Sequence, residues 1–215
     1  MKITKPRIVP RLKEEGSLEA AFRNNEEDLF EYAFNGMMER EWKKRNLSVQ
    51  SCIFRKCTLL KCSFKNSQFS DVIFDNCDLS NTDFSTCGFH RVEFAGCKLT
   101  GTDFSEGIFH HIRFKECAAP YINLSMSKLR AVAFMQSNLE EAAMDHCQFN
   151  EVAFTECDLR RAEFFRTPLK EIDFSESNIS GIRISAFTGC ELRGATVTPL
   201  QALELARLLG LVIRE

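Results

Sequence analysis

The sequence predicts an all-β solenoid, a four-sided coil with a small cap at its N-terminal end and an α-helix at its C-terminal end. Three observations predict it. From Phe54 to Ile184 an apolar residue falls at every fifth position without insertion or deletion, and only Ala119 among these 27 centres is smaller than Leu, Ile, Met or Phe. Two residues before each centre sits a second small or apolar residue: Cys52, Cys57, Cys62, Ser67, Val72, Cys77, Thr82 and onward. Identity, finally, recurs at twenty. Phe54, Phe74, Phe94, Phe114, Phe134, Phe154 and Phe174 are all Phe, and the β-branched column Val72, Val92, Ile112, Val132, Val152 and Ile172 keeps the same period.

A period of five suits neither a helix, which repeats at about 3.6, nor a strand, which repeats at 2. A five-residue unit nested in a twenty-residue one fits four sides of a square coil, each residue stacking on its equivalent twenty positions away. Coils then lie about 4.8 Å apart, joined by backbone hydrogen bonds, in a rod whose stability comes from nearest-neighbour stacking.

The elements follow in order. Residues 1–48 read as an arm and cap covering the first coil. Pro6, Pro10 and mixed charge make residues 1–24 irregular, Asn25 with Asp28 reads as a helix cap, and Phe30, Tyr32 and Phe34 alternate as in a strand. Met37 to Lys44 reads as helical with Trp42 inward, and the cap hides an open coil edge that would otherwise invite aggregation. The solenoid runs over 49–197. At Cys117-Ala118-Ala119-Pro120-Tyr121 a small centre precedes a Pro that cannot donate to the ladder, and a dent is expected there. After Ile184 the register breaks. Ser185 to Gly189 makes a small loop, and Leu192 and Val197, displaced by three, complete the last coil.

Residues 198–215 form the C-terminal helix and a strand. Thr198-Pro199-Leu200-Gln201 is a helix start, with an N-cap Thr, Pro at the first position and Gln three after the cap. Gly210 is the stop and Leu211-Val212-Ile213 a short strand. Ala202, Leu203, Leu205, Ala206 and Leu209, flanked by Leu200 and Leu208, make an apolar arc wider than closing the rod requires. The surplus points to a second copy, with Leu200, Leu203, Leu205, Leu208 and Leu209 at a dimer interface.

Composition excludes much. The net charge of −2 does not point to nucleic acid or a membrane surface, and there is no apolar run near 20 residues. Met1 to Lys13 lacks the apolar core of a signal peptide, so a cytoplasmic location is expected. Nine of the ten cysteines, all but Cys190, occupy the inward partner position and read as reduced core filler, not as disulfides or metal ligands.

The residues offer no catalytic chemistry. A filled square coil has no interior pocket, and there is no phosphate loop or nucleophile elbow, so neither enzyme activity nor a cofactor or metal is expected. His90, His110, His111 and His146 all face outward, the first two stacked one coil apart. The outer walls are more informative. The side centred on Phe64, Phe84, Phe104, Leu124, Met144 and Phe164 carries Asp83, Asp103, Glu106, Asp145 and Glu163, opposed mainly by Lys65 and Arg166. The next side carries His90, Arg91, His110, His111, Lys128 and Arg130. Regular carboxylates along a narrow rod can imitate a DNA backbone in a positively charged groove, but composition alone favours a solvated surface.

The segments CDLSN, TDFST, TDFSE, CDLRR and SNISG resemble the A(D/N)LXX consensus of the pentapeptide-repeat family, over residues 50–197. The resemblance implies a right-handed quadrilateral β-helix, with dimerisation of the rods through C-terminal helices. Within the family the chain looks most like the loopless members of the Qnr group. That likeness implies a DNA-mimicking partner of DNA gyrase and topoisomerase IV that protects them from quinolones or inhibits them, through the acidic wall. The alternative is a non-catalytic adaptor rod for another protein. Direct nucleic-acid binding is disfavoured because the acidic stripe repels a duplex.

Overall fold

The twenty-residue recurrence becomes literal stacking in the computed structural model, which describes residues 2–23, 28–185, 190–208 and 210–213. In order the elements are β1 (Lys13–Glu15), α1 (Leu18–Phe22), β2 (Asp28–Phe30), β3 (Tyr32–Asn35), β4 (Met38–Arg40), β5 (Ser48–Arg55) and β6 (Thr58–Leu60). There follow β7 (Gln68–Asp75), β8 (Gly88–Ala95), β9 (Ile108–Lys115), β10 (Lys128–Met135), β11 (Gln148–Thr155), a 3-10 turn (Cys190–Leu192) and α2 (Pro199–Leu208). The eight-residue strands β5, β7, β8, β9, β10 and β11 stack in parallel with a register of twenty, so Phe74 lies on Phe94 and Val72 on Val92. They cover two adjacent sides, called here the His side (centres Phe69 to Leu169) and the Phe side (Phe54 to Phe174). On the other two, the Leu side and the acidic side, bridges such as Asp78↔Lys98 and Asp83↔Asp103 hold the same register.

Corners fall two residues past a centre and, Glu176 excepted among the described residues, have positive φ, for example Asn81 (56°), Thr86 (59°) and Gly101 (63°). On the Leu and acidic sides the corner closes with a turn bond such as Thr102 N to Leu99 O, 3.1 Å. Positive φ at the third residue makes these type II turns. Asn is common there because its short polar side chain tolerates the left-handed region.

Centres and partner positions fill the core. Phenylalanines stack along the Phe side at 4.9 Å (Phe54–Phe74), 5.0 Å (Phe74–Phe94), 4.8 Å (Phe94–Phe114) and 4.7 Å (Phe114–Phe134). The nine described cysteines are free and buried. They do more than fill space. Cys77 and Cys97 Sγ donate to the Phe54 and Phe74 carbonyls, both at 3.3 Å, and Ser127 Oγ does the same to Phe104 O at 3.0 Å. Burial pushes the Cys87 and Cys147 thiols up to about 12, which keeps them protonated as donors.

The solenoid starts earlier than 49. Leu29 pairs with Val49, Phe34 with Phe54 and Lys43 with Ser63, so a further coil precedes the regular repeat. Charged Glu39 and Lys44 stand at its centres and hid it from the periodicity. Its interior is built instead from partner positions: Met37 and Leu47 are buried, and Trp42 packs on Phe64 at 5.2 Å. Residues 37–44 are therefore coil, not helix. The helix near the N-terminus is α1, capped by Ser17, whose Oγ accepts from Ala20 N at 3.1 Å. Asp28 lies in β2 instead, and Asn25 is outside the described residues. Phe22 of α1 stacks on Trp42 at 5.7 Å, so α1 plugs the open end that a cap was expected to cover.

The arm is ordered as well. It runs along the corner between the His and Phe sides, where Val9 N donates to Ser51 Oγ (3.1 Å), Arg7 N to Asp71 Oδ1 (2.8 Å) and Thr4 N to His111 Nδ1 (3.5 Å). It ends in β1, paired with β3.

No dent forms at Pro120. Ala118 bridges both Lys98 and Asn138, and Ile122 N closes the turn on Ala119 O at 3.3 Å. Pro120 is the second residue of a type II turn, where its fixed φ is favoured and no ladder bond is needed.

At the C-terminal end Asp173 bridges Thr196, a step of 23 in place of 20, which is the displacement by three expected of the last coil. Residues 186–189 of the expected loop lie outside the described residues. The capping box of α2 is present: Thr198 N donates to Gln201 Oε1 (2.8 Å) and Gln201 N to Thr198 Oγ1 (3.3 Å). Gln201 Nε2 also reaches the carbonyls of Phe174 and Ser177 in the last coil. Gly210 has φ 79° and ends the helix, with Leu211 N donating to Ala206 O. Residues 211–213 are not a strand, since α2 already covers the coil edge they would need. Among the described residues no helix is long and apolar enough to cross a membrane.

Candidate functional site

The outer walls carry the polar residues, and the repeat determines which of them meet. Position 83 plus twenties gives one column, so Asp83 and Asp103 are bridge partners, and Glu163 stands further along the same column beyond Asn123 and Ala143. Asp145 projects from the other flank of this acidic side, and Glu106 is an exposed corner residue with φ 57°. All five expected residues thus face outward on one straight wall.

They are not equivalent. Asp83 accepts from Ser85 N and Oγ and faces Lys65 Nζ at 3.3 Å. Asp103 accepts from Ser105 N (3.0 Å) and Asn123 Nδ2 (3.1 Å). Burial opposes ionisation of Asp145, but bonds from Ser125 Oγ and His146 outweigh it and hold the carboxyl below its usual range. Glu163 is paired with Arg183. Several of these carboxylates therefore organise turns and are partly neutralised at the ends of the wall. Between Lys65 and His146, however, no Lys, Arg or His faces out from this side.

Two residues missed in the sequence frame that stretch. Tyr121 and Met126 occupy its two corners on a single coil and are 57% and 56% exposed. The corner column otherwise holds Asn, Lys, Gly, Thr, Glu and the like, so an aromatic or a Met there was a readable signal.

On the His side, His90 and His110 stack at 5.2 Å with an 8° interplanar angle, as the spacing implied, and His111 lies 4.2 Å from His110. Burial, then the neighbouring Arg91, lowers the pKa of His90; burial, then His111, lowers that of His110. Both rings are therefore largely neutral near pH 7, and parallel stacked rings do not converge on one point. Arg91 is engaged bidentately with Asp71 at 2.5 and 2.6 Å. The basic stripe is thus less charged than its composition suggests.

On α2 the apolar arc divides. Leu200 (69%), Leu203 (46%) and Leu208 (42%) are exposed, whereas Leu205 (8%) is turned into the core and closes the rod, so it is not free for an interface. Leu209 lies outside the described residues.

A model of the family described as the pentapeptide repeat region matches residues 47–124 and 87–143, and one described as pentapeptide repeats in eight copies matches 133–167. Together they span 47–167, more than half of the 215 residues. Among solved structures, a trypsin-treated form of QnrB1, a plasmid-mediated fluoroquinolone resistance protein, is 22% identical over 85% of this chain and 97% of that chain, with TM-score 0.47. Full-length QnrB1 is 16% identical over 83% and 100%, with TM-score 0.34. HetL, a pentapeptide repeat protein involved in heterocyst differentiation regulation from the cyanobacterium Nostoc, is 14% identical over 86% and 92%, with TM-score 0.27. Likenesses at this level carry no argument about partners. No curated protein matches the chain in sequence.

Proposed function

The chain belongs to the pentapeptide-repeat family, and from that premise we propose that it is a non-catalytic rod that acts by presenting its outer walls to a protein. The partner we propose is a type II topoisomerase, DNA gyrase or topoisomerase IV, whose cationic DNA groove receives the acidic side. The observation that carries this reading is alignment. Asp83, Asp103 and Glu163 repeat along one straight column, with Glu106 and Asp145 beside them, on a stretch whose middle has no outward cation. The column's step of about 4.8 Å is longer than the roughly 3.4 Å of axial rise per phosphate of one DNA strand. The wall is therefore a dilute version of a DNA edge, suited to a groove that tolerates rapid release. Tyr121 and Met126 give it apolar anchors of the kind that dominate protein interfaces.

The exposed Leu200, Leu203 and Leu208 of α2 support a homodimer joined at the C-terminal ends. An adaptor role toward another protein is the second reading. It is favoured by the cations paired with Asp83 and Glu163 and by the His146 ring bonded to Asp145, which leave fewer unpartnered carboxylates for a DNA groove.

A gyrase supercoiling assay, with and without a quinolone, tests the first reading. The wild-type rod should alter supercoiling, by inhibition alone or by rescue under drug. Asp83→Lys with Asp103→Lys should keep the fold and weaken the effect. An inert wild-type protein at high micromolar concentration shifts the reading to the adaptor, whereas an undiminished double variant removes the acidic side from it.

A further inference from the structure

The rod is zipped along the His side until β11, where the zipper stops. Ile108, Lys128 and Gln148 each donate a backbone N–H to the coil before, to Cys87 O (3.0 Å), Gly107 O (2.9 Å) and Ser127 O (2.9 Å). The next residue of this column is Pro168, which has no N–H to give to Cys147 O. Among the described residues, no backbone hydrogen bond joins 148–156 to 168–176, and β11 is the terminal strand of its sheet. Bonding resumes on the Leu side, where Asn178 N meets Cys157 O.

Packing registers the same break. The Phe134–Phe154 spacing is 5.1 Å, but Phe154–Phe174 is 5.9 Å. Phe149 is half-buried, whereas the other centres from Phe54 to Ile184 are buried. The opening is a cavity of about 630 Å3 floored by Phe149, Val152 and Ile172 and flanked by Glu151, Lys170 and Glu171. A second recess continues from it past Asp173 and Glu176.

We propose that this opening is a docking site for an extended, Lys- or Arg-bearing peptide segment of a partner protein, which adds to the free edge of β11. Three features select that occupant. An unpaired strand edge offers alternating donors and acceptors that an extended backbone satisfies. The apolar floor accepts alternate side chains of such a strand. Among the described residues that line the two recesses, Glu151, Glu171, Asp173 and Glu176 stand against one cation, Lys170, which is itself 3.6 Å from Glu171. The chain's own arm shows a related mode five coils earlier: a basic segment whose Arg7 and Val9 amides donate to the side chains of Asp71 and Ser51, in the corner column that later presents Glu151 and Glu171. The site is distinct from the acidic side and does not depend on the topoisomerase reading.

The test is fluorescence anisotropy on the full chain with three labelled peptides of about eight residues, a typical strand length or slightly more. The probes are alternating Lys-Val, alternating Glu-Val, and Lys-Val with alternate backbone N-methylation. The Lys-Val peptide is expected to bind in the micromolar range, and the other two to bind about tenfold or more weakly. Pro168→Gln restores the missing donor, closes the gap and should lose binding while unfolding at a higher temperature. Glu151→Lys with Glu171→Lys should lose binding with its fold unchanged by circular dichroism, and decides the matter alone if Pro168→Gln does not fold. Failure of the Lys-Val peptide to bind overturns the proposal. So does equal binding of its N-methylated form, or undiminished binding by the charge-reversed variant.

Discussion

Two prolines in this rod have opposite consequences. At Pro120 the coil is continuous: bridges run to both neighbours, the turn bond closes and Ala119 is buried. At Pro168 the His side comes apart, although the surrounding centres Leu169 and Phe174 are buried and large. The difference lies in position within the five-residue unit. One place past a centre, as at 120, the residue is the second of a type II turn and donates nothing to the ladder. One place before a centre, as at 168, its N–H is the stitch to the coil below. A small centre such as Ala119 is absorbed by neighbours on both sides, while a missing donor cannot be.

The comparison can be broken most forcefully through packing. Phe114→Ala, in the zipped part, should destabilise by about 3–5 kcal/mol, the usual range for emptying a buried Phe site. Phe149→Ala, beside the opening, should cost less than half as much, because part of its surface is already wet. Urea unfolding of the two variants side by side checks this, and equal losses would mean that the opening is closed in solution.

Transplanting the proline is next in size. Lys128→Pro places it one step before a centre in a zipped coil and removes the bond to Gly107 O. The expected loss is about 3 kcal/mol, with new hydrogen-exchange lability confined to residues near 107 and 128. Unchanged protection there would sink the positional rule.

The corner column sharpens the comparison by another route, since Asp71 is covered by the arm where Glu151 is not. Arg91→Ala leaves Asp71 with a lost partner and should cost about 1–3 kcal/mol. Burial pushes the Asp71 pKa up, but the bonds from Arg91 and from the arm amide outweigh it and depress it overall. A depressed carboxylate stabilises the fold above its unfolded pKa of about 3.9 and loses that contribution as pH falls through the lower folded value. The stability gap between wild type and Asp71→Asn should therefore be constant near neutral pH and shrink below about pH 4. A gap that is flat down to pH 2 would refute the linkage.

The smallest effect belongs to the tolerated position. Thr100→Pro puts proline second in the turn Leu99–Thr102, whose third residue Gly101 already has φ 63°. It should stabilise by about 0.4–1 kcal/mol through the unfolded chain, read as a rise in melting temperature.

The solenoid, its sides, its inward columns and the capping box of α2 were legible because they are periodic or local: stacking demands the same residue at the same place every twenty. The five acidic residues fell on one wall for the same reason. The first coil was not legible, because Glu39 and Lys44 break the pattern at centres whose work is done by Trp42 and Met37. Nor was the arm, whose backbone donates to side chains 42 and 64 residues away. The division of the leucines of α2, with Leu205 inward and Leu200 outward, needed the angle at which the helix meets the last coil.

Sequence by itself therefore determined the coil, its period and what each side displays, since nearest-neighbour stacking makes every coil a copy of the last. Tertiary structure alone decided where the copying stops. Whether a given N–H finds its carbonyl, whether a carboxylate is paired, and whether the edge of β11 is covered all depend on contacts across the repeat's boundary. No period in the sequence encodes those contacts.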